Sequence, residues 1–180
     1  MRRALALVAL LLATGCTSGH HDGPDGPDPG ADPDRAAIHD GLATLFAGDH
    51  PTAADVADGD CFARELTARV TPAQLRAAGV LDESYAVVAE LPVLDQRVGE
   101  AWVQAQFACV DYVEAAARAA VSVSHGAVDP GAYAACLRAA LSEDELHDAV
   151  LATLTGSVDG PEVKALSSAQ SSCTEQAKRN

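Results

Sequence analysis

Cysteines are the residues of this chain with the widest choice of chemistry. Besides Cys16 near the N-terminus there are four others: Cys61, Cys109, Cys136 and Cys173. No two of the four have the Cys-x-x-Cys spacing of a zinc site, and no His-x-x-x-His pair accompanies them. Each has other cysteines available as disulfide partners, so none stands out as a catalytic nucleophile. The set therefore predicts structural sulfur chemistry and no metal.

Histidines and clustered acids are the other groups that could hold a metal or move a proton. The segment His20-His21-Asp22 is a weak set of transition-metal ligands in a flexible stretch, far from a closed site. Asp55, Asp58 and Asp60 resemble part of a calcium loop, but the glycine spacing and the closing glutamate of an EF-hand are missing. The remaining histidines are scattered near expected helix ends and loops, where a solvated or capping role is the simpler interpretation: His39, His50, His125 and His147.

Recognisable catalytic motifs are also missing from the sequence. The acidic run Glu143-Asp144-Glu145 falls in the first turn of an expected helix, where the helix dipole stabilises negative charge. There is no glycine-rich phosphate loop, no nucleophile elbow and no paired-carboxylate motif. His147 and Asp111 would need a serine brought to them by the fold, and nothing in the spacing predicts one. The sequence thus predicts no catalytic residue, no metal and no cofactor.

Composition and charge favour an all-helical protein and disfavour two classes of partner. Apolar residues make up 48% of the 180-residue chain but aromatic residues only 4%, and the apolar set is mostly Ala, Leu and Val. Alanine is the strongest helix former, whereas strands draw on aromatic and β-branched residues. The formal net charge of −14 opposes binding to nucleic acid and adhesion to anionic lipid through a basic face.

The first sixteen residues have the pattern of an export signal. Arg2 and Arg3 precede an apolar run over residues 4–13, which is too short to span a bilayer as a permanent helix. The segment Leu12-Ala13-Thr14-Gly15-Cys16 resembles the lipobox of bacterial lipoproteins, with the leucine one place further from the cysteine than usual. The resemblance implies that residues 1–15 are a signal peptide and that Cys16 is lipidated and becomes the mature N-terminus. The alternative is an ordinary secretory signal with a chance cysteine. The Ala, Arg and Asp bias is generally similar to that of small secreted lipoproteins of actinomycetes.

Residues 17–34 (TSGHHDGPDGPDPGADPD) predict a disordered acidic tether. Glycine and proline interrupt regular structure and the aspartates repel one another, so we expect an extended segment. Fully stretched it reaches about 60 Å, enough to hold a domain clear of lipid headgroups. The predicted organisation is therefore a signal peptide over 1–15, a lipidated tether over 16–34 and a single helical domain over 35–180.

From Asp32 onward the hydrophobic periodicity is helical almost everywhere, and no stretch alternates convincingly with period two. We expect an all-α, compact, disulfide-stapled bundle of about six to eight helices. In the first part of the domain, helical segments are predicted from Asp32-Pro33 to near Gly48, from Thr52 to Val70 with an interruption near Gly59, from the capping box at Thr71 to Gly79, and from Asp82 to Glu90. In the second part, segments are predicted from Val93 to Val121, from Asp129-Pro130 onward, from the capping box at Ser142 to Gly156, and from Pro161 onward.

Two parts of the expected domain share a pattern that hints at an internal duplication. Residues 61–66 (CFAREL) parallel residues 136–141 (CLRAAL), and each is followed by a capping box. Each half then ends on a cysteine, Cys109 or Cys173, with an acid two places later. Such matches also arise by chance in alanine-rich helices, so two related halves are one interpretation.

The four cysteines beyond Cys16 predict two disulfides, because they are even in number and an exported chain folds in an oxidising compartment. Three connectivities are open. We favour the within-half pairs, Cys61 with Cys109 and Cys136 with Cys173.

Taken together, these features predict a lipoprotein anchored at the cell membrane through its N-terminal lipid and facing the extracytoplasmic side. The domain is expected to be a non-catalytic binding or scaffolding module that engages an envelope protein or a cell-wall component. The alternative is a cell-envelope hydrolase whose site is assembled only in the fold. Converging Asp, His and Ser side chains in a deep pocket would favour the enzyme, and a large exposed apolar patch would favour the binding module.

Overall fold

The computed structural model describes residues 33–179, and these residues form a helical domain without a β-strand. Eight helices follow one another through this part of the chain: α1 (Arg35–Ala47), α2 (Ala53–Arg69), α3 (Pro72–Ala77), α4 (Gln96–Cys109), α5 (Tyr112–Val123), α6 (Pro130–Ala140), α7 (Glu143–Leu154) and α8 (Pro161–Gln176). The predicted all-helical class and the number of helices are confirmed. None of these helices has the length and apolar character needed to cross a membrane. The predicted signal peptide, Cys16 and the predicted tether up to Asp32 lie outside the described residues.

Side-chain caps begin seven of the eight helices and explain where each one starts. An Asp, Thr or Ser oxygen at the N-cap accepts hydrogen bonds from first-turn N–H groups, which have no partner within the helix. Full capping boxes begin α2, α3 and α7, at Thr52, Thr71 and Ser142. Aspartates begin four more helices: Asp34, Asp95, Asp111 and Asp129. Together with Asp55 and Glu145 of the capping boxes, six acidic residues therefore satisfy helix ends.

The first two helices differ from the sequence prediction in where they start and how they continue. The Asp34 carboxylate accepts from the N–H groups of Ala36 and Ala37 at 3.0 and 3.2 Å, so the predicted start at Asp32-Pro33 is wrong. The predicted interruption of α2 near Gly59 is also wrong, because the helix runs through that residue. Gly59 lies where α1 crosses α2, and a Cβ there would be 2.5 Å from the Ala43 carbonyl oxygen. The close helix contact requires this glycine.

The helix predicted over residues 82–90 is replaced by an irregular loop. The Asp82 carboxylate accepts from the backbone N–H groups of Ser84 and Ala86 at 2.8 and 2.9 Å. Leu81 and Val87 form an isolated antiparallel bridge, and Tyr85 has a φ of 65°. Aspartate hydrogen bonds to nearby backbone groups compete with helix formation, and here they hold the chain in a turn.

The long helix predicted from Val93 to Val121 is two helices that meet at Val110 and Asp111, the α4–α5 junction. Val110 is extended, and the Asp111 carboxylate accepts from the Glu114 N–H at 3.0 Å as the N-cap of α5. The apolar periodicity continues across the junction, so a cap in the middle of the pattern was the overlooked signal. The break lets α4 complete the first half of the domain while α5 begins the second.

Two groups of buried side chains form the core, one in each half of the domain. In the first half, Phe62 is 0% exposed, with Phe46 stacked on it at 4.2 Å between ring centroids and Trp102 at 4.7 Å. In the second half, Leu137 and Cys173 are both fully buried. In the first half α1 packs on α2 and α2 on α4, and in the second half α5 packs on α6 while α6 and α7 both pack on α8.

Candidate functional site

The four cysteines of the described domain form two disulfides. Cys61 of α2 is bonded to Cys109 at the end of α4, with their Cα atoms 5.7 Å apart. Cys136 of α6 is bonded to Cys173 of α8, with their Cα atoms 5.5 Å apart. These are the within-half pairs that the sequence analysis favoured. Disulfides of this kind are typical of chains that fold in an oxidising, extracytoplasmic compartment.

A groove of about 580 Å³ lies beside the α4–α5 junction, and we call it the junction groove. Four helix ends meet around it: the end of α4, the start of α5, the end of α6 and the start of α7. Its walls include Phe107, Tyr112, Asp111, Arg138, Ser142 and Glu143. Because helix ends and not mobile loops carry these residues, their positions are set by the packing of the second core.

One wall of the junction groove is aromatic. The rings of Phe107 and Tyr112 are stacked, with centroids 5.8 Å apart and an interplanar angle of 6°. His147 is tilted against Phe107, with ring centroids 5.4 Å apart. Burial raises the pKa of the Tyr112 hydroxyl, Tyr133 raises it further, and a hydrogen bond with Gln170 opposes the shift. The wall offers apolar area with little conformational freedom left to lose on binding.

An ion-pair network forms the polar side of the groove. The Arg138 guanidinium donates to Asp111 at 3.0 Å and to Glu114 at 2.7 Å, joining α6 to the start of α5. The N–H of Glu114, with help from Arg138 and against partial burial, lowers the pKa of Asp111. Hydrogen bonds with Glu114 and Asp111 raise the pKa of Arg138. All three side chains are about half exposed, so solvent screens the network and a ligand can reach it.

A second groove of about 810 Å³ lies on the other side of the same junction, and we call it the α2–α5 groove. It is lined by Thr52, Asp55 and Asp58 of the α2 end and by Glu114 and Arg118 of α5. Both grooves include residues 109–111, so the junction separates them. Hydrogen bonds from the Thr52 backbone and hydroxyl lower the pKa of Asp55, which completes a capping box.

Several of the acids and histidines singled out in the sequence have local structural roles. Asp55 completes the capping box of α2 that begins at Thr52, and Asp60 pairs with Arg64 at 3.4 Å and with His39 at 3.6 Å. Glu145 completes the capping box of α7, while His50 and His125 are exposed. Within residues 33–179 no three His, Cys, Asp or Glu side chains are arranged to hold a metal ion. His20, His21 and Asp22 lie outside the described residues.

Two residues in the lining of the junction groove were not predicted from the sequence, Phe107 and Arg138. Phe107 and Arg138 are distant in sequence from each other and belong to no motif, so only the packing of α4 against the second half brings them together. The available signal was Asp111, a helix-capping residue followed directly by Tyr112 in an otherwise aromatic-poor chain.

The arrangement in the groove suits recognition of a ligand. Ser142, the serine of its wall, donates its hydroxyl to Glu145 at 2.8 Å. His147 faces the Phe107 ring. The exposed large apolar residues of the described domain are four valines on different elements: Val56, Val93, Val123 and Val158.

The chain matches no family model, no curated protein and no solved structure.

Proposed function

We propose that this chain is a membrane-anchored lipoprotein whose helical domain is a non-catalytic binding module on the extracytoplasmic side. The proposed anchor is a lipid on Cys16, supported by the lipobox-like segment over residues 12–16. Burial of acyl chains contributes about 0.8 kcal/mol per methylene, and two chains attach a protein stably. The two disulfides fit the same compartment.

The observation that carries the binding role is the junction groove. It combines a stacked aromatic wall, Phe107 and Tyr112, with charged groups of both signs, Arg138 and Glu143, on helix ends. Aromatic anchors beside a polar rim are the usual composition of a recognition surface. The proposed ligand is an envelope protein or a cell-wall component.

The anchor is tested by intact mass and fractionation. The mature chain should begin at Cys16 with the mass of its lipid added, and it should sediment with membranes. Cys16→Ser should abolish both the added mass and the sedimentation. An unmodified N-terminus on a membrane-free wild-type protein would refute the anchor.

The binding role is tested with two charge reversals in the same helical turn. Glu143 and Asp144 are both exposed in the first turn of α7, but Glu143 lines the junction groove and Asp144 is outside its lining. Both replacements by Lys carry the same unfavourable interaction with the helix dipole. In capture from envelope extracts, Glu143→Lys should lose partners that wild type and Asp144→Lys both retain. Equal capture by the two variants would place binding elsewhere.

A further inference from the structure

The two disulfides differ in their surroundings. Cys109 lines both the junction groove and the α2–α5 groove and is partly exposed, so this end of the disulfide lies between two open grooves. Cys61, its partner, is partly exposed, and neither residue belongs to the buried core of the first half. In the second bond Cys136 is also partly exposed, where it packs against the second core, but Cys173 is 0% exposed within that core.

We infer that Cys61–Cys109 is a reducible disulfide, open to attack by a dithiol from the grooves, and that Cys136–Cys173 is a permanent structural bond. This inference goes beyond the proposed function and does not depend on lipidation of Cys16. The reductant is identified only by its chemical class, a small or protein-borne dithiol.

The exchange balances without any other reactant. A thiolate of the dithiol attacks the Cys109 sulfur, the Cys61 sulfur leaves with the bonding electron pair, and it takes a proton from water. The second thiol of the reductant then attacks its own mixed-disulfide sulfur and expels Cys109. The protein disulfide is reduced by two electrons to two thiols, and the dithiol is oxidised to its disulfide.

The same reaction is hindered at the second disulfide by its leaving group. Attack on Cys136 would expel Cys173 as an unpaired thiolate inside an apolar core, where a charge has neither water nor a counter-ion. Attack on Cys173 itself requires the core to open, because no part of that residue is accessible. The burial of Cys173 thus protects this disulfide, directly against attack on Cys173 and through the leaving group against attack on Cys136, which is itself partly exposed.

Reduction of Cys61–Cys109 would leave the first core in place. Phe62 follows Cys61 directly and packs on Trp102 of α4 at 4.7 Å between centroids, so α2 and α4 stay in contact without the bond. The end of α4 would lose its covalent link to α2, and that end carries Phe107 into the aromatic wall of the junction groove. The disulfide is therefore placed to couple the redox state of the compartment to the shape of this groove.

The test is graded reduction of the purified full chain with dithiothreitol, followed by alkylation and peptide mass spectrometry. Cys61 and Cys109 should be labelled at least about tenfold faster than Cys136 and Cys173, because exchange rates depend on access to the attacked sulfur and on the leaving group. The selectively reduced protein should keep its helical circular dichroism. Labelling of all four cysteines together, labelling of Cys136 and Cys173 first, or loss of helicity with the first bond would overturn the inference.

A matched pair of variants tests the route of attack. Ala108 is exposed, neighbours Cys109 and lines the junction groove, while Ala135 is exposed next to Cys136 and lies outside both grooves. Ala108→Trp should slow reduction of Cys61–Cys109 several-fold, and Ala135→Trp should leave its rate unchanged. If both variants reduce this bond at the wild-type rate, attack from the junction groove is refuted. Should Ala108→Trp fail to fold, the labelling order in the unaltered chain still decides the proposal.

Discussion

Removing the two disulfides one at a time separates the contribution of chain entropy from that of burial. The perturbations are the paired replacements Cys61→Ala with Cys109→Ala, and Cys136→Ala with Cys173→Ala. The bonds span 48 and 37 residues respectively. On the chain-entropy treatment of disulfides, loops of these lengths correspond to about 4.1 and about 3.8 kcal/mol at 25 °C. Loop length alone therefore predicts a slightly larger loss of stability for the first pair.

The burial of Cys173 reverses the expected order of the two losses of stability. Cys173 is 0% exposed in the second core, so its truncation to Ala also leaves a small cavity, whereas Cys61 and Cys109 are partly exposed at a groove. Loss of one buried group of this size costs about 1 kcal/mol in transfer and packing. We expect about 4 kcal/mol of destabilisation for the first pair and about 5 kcal/mol for the second.

The assay is urea unfolding followed by two probes. Circular dichroism reports both halves of the domain, and Trp102, the chain's only tryptophan, reports the first core through its fluorescence. Midpoints and slopes from each probe give the free energy of unfolding. A larger loss for Cys61 and Cys109 than for Cys136 and Cys173 would refute the claim that burial outweighs loop length.

Three further predictions concern packing, caps and pH. Gly59→Ala should destabilise the domain by about 2 kcal/mol, because its Cβ would meet the backbone of Ala43 at 2.5 Å. Gly131→Ala, at an exposed position in the first turn of α6, should be neutral or slightly stabilising in the same unfolding assay. Ser142→Ala should cost about 1 kcal/mol through loss of the α7 cap, and a change below a few tenths in thermal or urea unfolding would count against the capping box. Hydrogen bonds hold the pKa of five carboxyls below their ordinary values of 3.8 for Asp and 4.5 for Glu: Asp55, Asp82, Asp111, Asp129 and Glu145. The stability that these carboxylates contribute to the fold is therefore complete above the ordinary pKa values and is lost as the pH falls below them towards the lowered values. Unfolding measured at pH 7, 5 and 3 should show this loss only in the last step, and a flat profile would contradict it.

Local chemistry explains why much of the fold was predictable. Thr71 and Ser142 have their capping partners three residues away, and Pro130 and Pro161 occupy first helical positions where a missing N–H costs nothing. Such signals depend only on neighbours in sequence, so they identify where helices begin without knowledge of the fold.

The helix predictions failed where the interaction that decides the local structure is not visible in the hydrophobic pattern of the sequence. Gly59 looks like a helix breaker until α1 lies against it. Asp82 opens a segment whose pattern is compatible with a helix, but its carboxylate binds backbone N–H groups and holds a turn. Asp111 lies inside another such segment, and its carboxylate caps the start of a new helix. Hydrophobic periodicity shows which face of a helix is apolar, but it does not determine the direction that the chain takes where a helix is interrupted.

By itself, the sequence determined that the described domain is all-helical in class, where most of its helices begin, and that the four cysteines beyond Cys16 pair with one another. The tertiary structure alone decided that one disulfide lies at a groove, that the other has Cys173 buried in a core, and that Phe107, Tyr112 and Arg138 share a surface. The physical reason is the distance along the chain over which each kind of interaction acts. Caps and helix propensity act over three or four residues, whereas burial and groove formation depend on the packing of α4 and α5 against helices far along the chain.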